Sequence, residues 1–214
     1  MRFDAVIFDN DGLLLDTEEA WTRAEEVLFA RRGRAFTIEH KRSLIGSSRA
    51  AAAAKLETML ERPGEGEPLM DELHGLVMEE VRSGVAPRPG APALLEALKQ
   101  AEVPVGLASN SPRAFVERSL AAAGLTNGHF GVIVVAEEVP APKPAPDVYL
   151  AACRALGADP ARSAALEDSP SGVAAGMAAG MFVVGVPYLP EMPLPGASLQ
   201  AASLGDPEVL AALM

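Results

Sequence analysis

The run Phe3-Asp4-Ala5-Val6-Ile7-Phe8 ends abruptly at a pair of acids, Asp9-Asn10-Asp11-Gly12, and this junction constrains the fold more than any other stretch. A short, β-favouring apolar run of this kind reads as a buried strand of a parallel sheet. Ligands of open α/β sheets bind outside the carboxyl ends of the strands, so a strand ending in Asp-x-Asp-Gly aims its acids at the crevice. Asp9 and Asp11 are two apart, and in extended geometry both side chains leave the same side of the backbone. Two anions so placed repel unless a cation lies between them or one carboxyl keeps its proton. A hard, oxygen-seeking ion such as Mg2+ suits such a site and also accepts the charge of a bound phosphate. Gly12 permits a turn that a side chain would obstruct. Taken alone, the tetrapeptide also reads as a polar turn after a strand.

The rest of the chain separates into two patterns. Past Pro87-Arg88-Pro89-Gly90, strands are predicted near 103–108, 132–135, 164–166 and 182–186, alternating with helices near 91–100, 112–124, 146–156 and 171–179. Ser111 reads as the N-cap of the second helix, with Pro112 at its first position. Strand then helix, repeated with short connections, predicts an α/β fold with a Rossmann-like parallel sheet covered on both faces. From Thr17 to Ala86 the pattern is helical instead, near 17–33, 48–61 and 69–81, with Thr17 as a capping residue. Three helices exceed what a simple crossover needs, so 17–86 reads as an inserted α-helical cap domain and 1–16 with 87–214 as the core. The tail from Tyr188 is expected to return over the sheet without adding chemistry.

Charge narrows the partners. With 29 acidic and 18 basic residues the formal net charge is −11, which argues against nucleic acid. A small phosphorylated substrate is compatible, since a metal and a lysine can reverse the field inside one pocket. Cys153 is the single cysteine, which excludes an internal disulfide and a thiolate zinc site. No charged-then-apolar leader precedes the first strand and no apolar run reaches membrane-spanning length, so a cytoplasmic protein with no membrane partner is expected. The oligomeric state is left open.

Four segments end in polar residues: Asp9 with Asp11, Ser109 with Asn110, Lys143 in a proline-rich loop, and Glu167 with Asp168. Parallel strands bring their carboxyl ends to one edge, so these groups are predicted to converge. Their surroundings, Asp9-Asn10-Asp11-Gly12-Leu13-Leu14-Leu15-Asp16-Thr17-Glu18, Ala108-Ser109-Asn110-Ser111, Lys143-Pro144-Ala145-Pro146-Asp147 and Glu167-Asp168-Ser169-Pro170-Ser171-Gly172, resemble in that order the haloacid dehalogenase-like hydrolases with a helical cap after the first strand. The resemblance spans essentially the whole chain.

It implies a Mg2+-dependent phosphatase of a small phosphorylated metabolite, a sugar, polyol or short-acid monophosphate. Asp9 matches the family's nucleophile, which forms an aspartyl-phosphate, and Asp11 the general acid/base. Ser109, the Asn110 amide and Lys143 match the phosphate-binding groups. Asp9, Asp168, the Asp11 backbone carbonyl and Glu167, directly or through water, match the metal ligands, with Asp168 favoured over its neighbour. Helix capping for Ser109, a solvated surface for Lys143 and a helix-entry role for Asp16 are the plainer alternatives.

In the cap, Arg49 is a candidate contact to a substrate phosphate or hydroxyl, and Trp21 a candidate pocket wall; a solvated arginine and a core aromatic are the alternatives. Asp11 points away from dehalogenase chemistry. β-Phosphoglucomutase-like phosphotransfer is the alternative activity, although this chain offers Trp21 where those enzymes typically carry a cap histidine. Lys41 and Lys55 have no motif support as Schiff-base lysines. A non-catalytic phosphometabolite-binding protein is the reading from outside enzymology.

Overall fold

The computed structural model describes residues 3–125 and 128–214; the first two residues of the predicted amino-terminal segment lie outside them. Among the described residues, strands β1 (Ala5–Phe8), β2 (Val105–Ser109), β3 (Val132–Val135), β4 (Ser163–Glu167), β5 (Phe182–Gly185) and β6 (Leu199–Gln200) form one parallel sheet. Their order is β3-β2-β1-β4-β5-β6, with β1 and β4 in the middle. The Rossmann-like expectation holds. Successive side chains of a strand face opposite sides, and the core divides accordingly. Val6, Phe8, Leu107, Leu166 and Val184 pack on one face, whereas Ala5, Ile7, Ala108, Ala165 and Val183 pack on the other.

Helices α1 (Glu18–Ala30), α2 (Ile38–Leu44), α3 (Arg49–Leu60) and α4 (Gly66–Val81) separate β1 from the remaining strands. They gather around an apolar cluster of their own that includes Leu28, Phe29, Leu56, Leu73 and Val77. Helices α5 (Ala91–Gln100), α6 (Arg113–Ala122), α7 (Asp147–Leu156), α8 (Pro170–Ala178) and α9 (Pro207–Leu213) accompany the sheet. Phe115 of α6 is fully buried in the cluster of α1 to α4, its ring tilted against that of Trp21 with centroids 5.3 Å apart. The chain crosses between the two regions twice, side by side: the Asp16 amide donates to the Ala86 carbonyl and the Arg88 amide to Leu14, both at 2.9 Å.

Two local expectations are corrected, and the tail gains detail. The segment between 17 and 86 holds four helices: α2 is opened by a reciprocal cap in which the Thr37 hydroxyl accepts from the His40 amide and the His40 ring accepts from the Thr37 amide. This is a capping box with histidine in place of the usual Glu or Gln. Ser111 does not cap α6; Pro112 occupies that position without a side-chain cap. The tail after Tyr188 adds strand β6 and helix α9, and its Glu191 pairs with Arg42 of α2.

Candidate active site

The carboxyl ends of β1, β2 and β4 meet where the polar segments were expected. Lys143 is the centre: its Nζ lies 2.6 Å from Asp9 Oδ1 and 2.6 Å from Glu167 Oε1, and donates to the Ala108 carbonyl at 2.8 Å. An ammonium has three N–H donors, all of which are used here, so the lysine meets a ligand as a fixed positive charge. Asn110 staples its loop, donating from Nδ2 to the Lys143 carbonyl at 3.1 Å and accepting from the Lys143 amide at 2.9 Å. Two acids outweigh burial and hold the ammonium above its ordinary range.

Glu167 is fully buried and already well satisfied. Besides Lys143, the Tyr149 hydroxyl donates to it at 2.5 Å and the Ser169 hydroxyl at 3.4 Å. Its carboxylate packs over Gly172, where any Cβ would overlap it. Asp168 differs. Its Oδ2 is buried with no hydrogen-bond partner, and burial, reinforced by Asp9 and Glu167, pushes its carboxyl well above the usual range. Asp9, Glu167 and Asp168 each offer an oxygen within 4.8 Å of the others. Three buried acids around one lysine, with an orphaned oxygen, form a donor set that suits a hard divalent cation. Gly12, at φ 79°, lies against Asp168, and a Cβ there would run into that orphaned oxygen.

The Asp11 carboxylate stands apart from this trio and is held by donors. Thr17 Oγ1 donates at 2.7 Å, Ser111 Oγ at 2.7 Å, Ser109 Oγ at 3.2 Å and Asn10 Nδ2 at 3.2 Å. The adjacent-acid problem is thus met by separate solutions, a lysine for Asp9 and a ring of hydroxyls for Asp11. Burial raises the Asp11 carboxyl despite these bonds, which favours keeping a proton. Thr17 and Ser111 were expected only as helix caps; instead both hydroxyls donate to this carboxylate and neither accepts a capping bond from its helix.

Asp9, Asp11, Ser109, Asn110, Lys143 and Asp168 border one cavity of about 110 Å3, and α1 to α4 supply its other wall. Trp21 both lines it and packs on Phe115. Arg49 lines it too, with its guanidinium held by Glu67 at 2.9 Å and Asp71 at 2.7 Å. Glu167 stands behind this wall. The sequence reading missed Glu18, Glu25 and His74, which also line the cavity. Glu18 closes the first motif stretch but carried no assigned role, and Glu25 does not break a helical pattern, so no local signal marked it.

The model of the haloacid dehalogenase-like hydrolases matches residues 3–180, which includes every motif at this site. The chain belongs to that family. It is therefore an enzyme of the hydrolase class, with the family's capped Rossmann-like fold. Hexitol phosphatase B of Escherichia coli is 34% identical over 86% of this chain and 83% of its own length. The bifunctional riboflavin kinase/FMN phosphatase of Arabidopsis thaliana is 34% identical over 87% of this chain, which spans 49% of that longer protein. Among solved structures, β-phosphoglucomutase from Clostridium difficile superposes with a TM-score of 0.83 at 25% identity, covering 98% of this chain and 96% of that one. No helix among the described residues is long and apolar enough to cross a membrane.

Proposed function

We propose that this hydrolase releases phosphate from small monoesters of sugars, polyols or short acids, using Mg2+ and a covalent phosphoryl group on Asp9. The observation that carries the reading is the buried, unpartnered Asp168 Oδ2 beside an Asp9 already fixed by Lys143. The Asp9 carboxylate attacks phosphorus while the bond to the leaving oxygen breaks, and Asp11 gives that oxygen its proton. Asp11 then takes a proton from water, whose oxygen attacks the phosphoryl group, frees inorganic phosphate and restores Asp9. The raised Asp11 carboxyl fits a group that must start protonated. Ser109, the Asn110 amide and the Lys143 charge receive the phosphoryl oxygens. Asp9, Asp168 and the Asp11 carbonyl would hold the divalent ion, with Glu167 behind them, and the bound ion draws charge off those oxygens.

In this reading residues 17–86 form the cap and 1–16 with 87–214 the core. The separate apolar cluster of α1 to α4 and the paired crossing segments support that division. The cap wall shields the reaction from water. Phosphotransfer of the β-phosphoglucomutase kind is the second reading, and His74 favours it: this cap histidine lines the cavity with a buried, unpartnered Nε2.

Phosphate release from p-nitrophenyl phosphate tests the proposal. Asp9→Asn should abolish it with the fold intact, and chelation should stop it until Mg2+ is restored; a variant with most of the wild-type rate, or full activity in excess chelator, refutes the scheme. Isomer formed from β-glucose 1-phosphate and its bisphosphate faster than free phosphate would make the chain a mutase.

A further inference from the structure

The cap wall of the cavity carries two buried acids. Glu18 and Glu25 of α1 both line it, at 6% and 3% exposure. Behind them lies the buried Lys41 of α2, with its Nζ 2.5 Å from Glu18 Oε2 and 3.3 Å from Glu25 Oε2, also donating to the Glu18 carbonyl at 3.2 Å. The lysine anchors the pair, and with both acids ionised the cluster carries one net negative charge. Burial pushes the Glu25 carboxyl up to about 7 even with Lys41 pulling it down, so this corner already resists further anionic charge.

The cations around it are engaged. Arg49 is bound by Glu67 and Asp71, and Lys143 by Asp9 and Glu167. His74 is held neutral, because burial and then Arg49 lower its pKa. Beyond the phosphoryl site, a leaving group therefore meets carboxylate acceptors, a neutral imidazole and the apolar faces of Trp21, Met70 and Leu73. A hydroxyl gains a charge-assisted hydrogen bond from such a wall. A carboxylate or second phosphate would be desolvated beside like charge, and would have to compete with Glu67 and Asp71 for the Arg49 guanidinium.

We propose that the cavity selects phosphate monoesters whose leaving group is uncharged and hydroxyl-bearing, and disfavours those carrying a second anion, with Glu18 and Glu25 as the specificity-determining acceptors. The inference rests on the phosphatase reading and narrows it by excluding short acids.

Matched substrates with Mg2+ present test it: glycerol 3-phosphate against 3-phosphoglycerate, and glucitol 6-phosphate against 6-phosphogluconate. Each pair has one carbon skeleton and differs only in an alcohol or carboxylate at the far end. The neutral member should show at least about tenfold higher kcat/KM, equivalent to about 1.4 kcal/mol; a smaller or inverted ratio in either pair overturns the inference. For a pair that is not turned over, the same criterion applies to inhibition constants against p-nitrophenyl phosphate. Hydrolysis of that aryl ester with the wrong ratio sinks only the selectivity, whereas no phosphate released from any ester sinks the phosphatase reading and this inference together. Glu25→Gln, or Glu18→Gln if the first variant does not melt cooperatively, should shrink the ratio at least about threefold by raising the rate on the acid. An unchanged ratio in a folded variant overturns the assignment to these residues.

Discussion

The enzyme buries two lysine-centred acid clusters, one at the strand ends and one between α1 and α2, and they are built to different ends. Around Lys143 stand Asp9, Glu167 and Asp168, three acids to one cation, with one carboxylate oxygen left without a partner. Around Lys41 stand Glu18 and Glu25, both in contact with the ammonium. With its three acids ionised the first cluster is two charges short of neutral, which a divalent ion would supply. The second is one charge short and each acid already touches its lysine, so it stands without metal and colours the cavity wall. Burial works against both lysines, and in both the acids outweigh it. On the proposed function the same residue types would serve reaction in one region and selection in the other, according to how many acids the backbone brings together.

The comparison is sharpest at the lysines. Lys143→Ala should lower kcat/KM on p-nitrophenyl phosphate by about 10^3-fold or more, since it removes the charge facing both nucleophile and phosphate. Lys41→Met should leave chemistry on this small aryl ester within about tenfold, yet cost about 3 to 5 kcal/mol in denaturant unfolding, because two buried carboxylates lose their partner. Equal losses of rate in the two variants would erase the distinction between the clusters.

Metal should separate them next. Saturating Mg2+, at about a hundred times its Kd, is expected to stabilise the protein by about 2.7 kcal/mol, read as a rise in Tm. Asp168→Asn should remove most of that rise and Glu25→Gln none of it. A rise that survives Asp168→Asn would move the ion elsewhere.

Titration gives a related but smaller effect in the cap cluster. The Glu25 carboxyl binds its proton more tightly folded than unfolded, with its pKa raised by burial from 4.5 to about 7. Its contribution to stability is therefore full below about pH 4.5 and is lost as pH climbs through about 7, on the order of 3 kcal/mol in all. Denaturant unfolding from pH 4.5 to 8 with Mg2+ present should show this decline, and Glu25→Gln should flatten it; an unaltered slope would show that another group is responsible. Smallest is Ser111→Ala, which removes one donor from Asp11 and leaves Ser109 and Thr17 in place. About 1 kcal/mol of hydrogen bonding is lost, and because Asp11 starts as the acid the alkaline limb of the rate profile should shift slightly upward; no shift would mean Ser111 does not bear on Asp11.

Local sequence carried much of this. The apolar runs that become β1 to β5 and the helices between them are legible because each is decided within a few residues, by period and by Gly or Pro punctuation. Asp9, Ser109, Lys143 and Asp168 stood out because each ends or follows a strand, and parallel pairing brings those ends to one edge. The tertiary structure alone decided which donors serve which acid. Ser111 lies 100 positions from Asp11 and donates to it, while Pro112 rather than Ser111 opens α6. Lys41 meets Glu18 and Glu25 only because α2 folds back on α1, and Glu167 turns to Lys143 and Tyr149 because Gly172 leaves room for it. Propensity acts along the chain, whereas the pairing of buried charge is set by what packing brings into contact, and that is why the residues gathered at the strand ends were readable in advance while most of their hydrogen-bond donors were not.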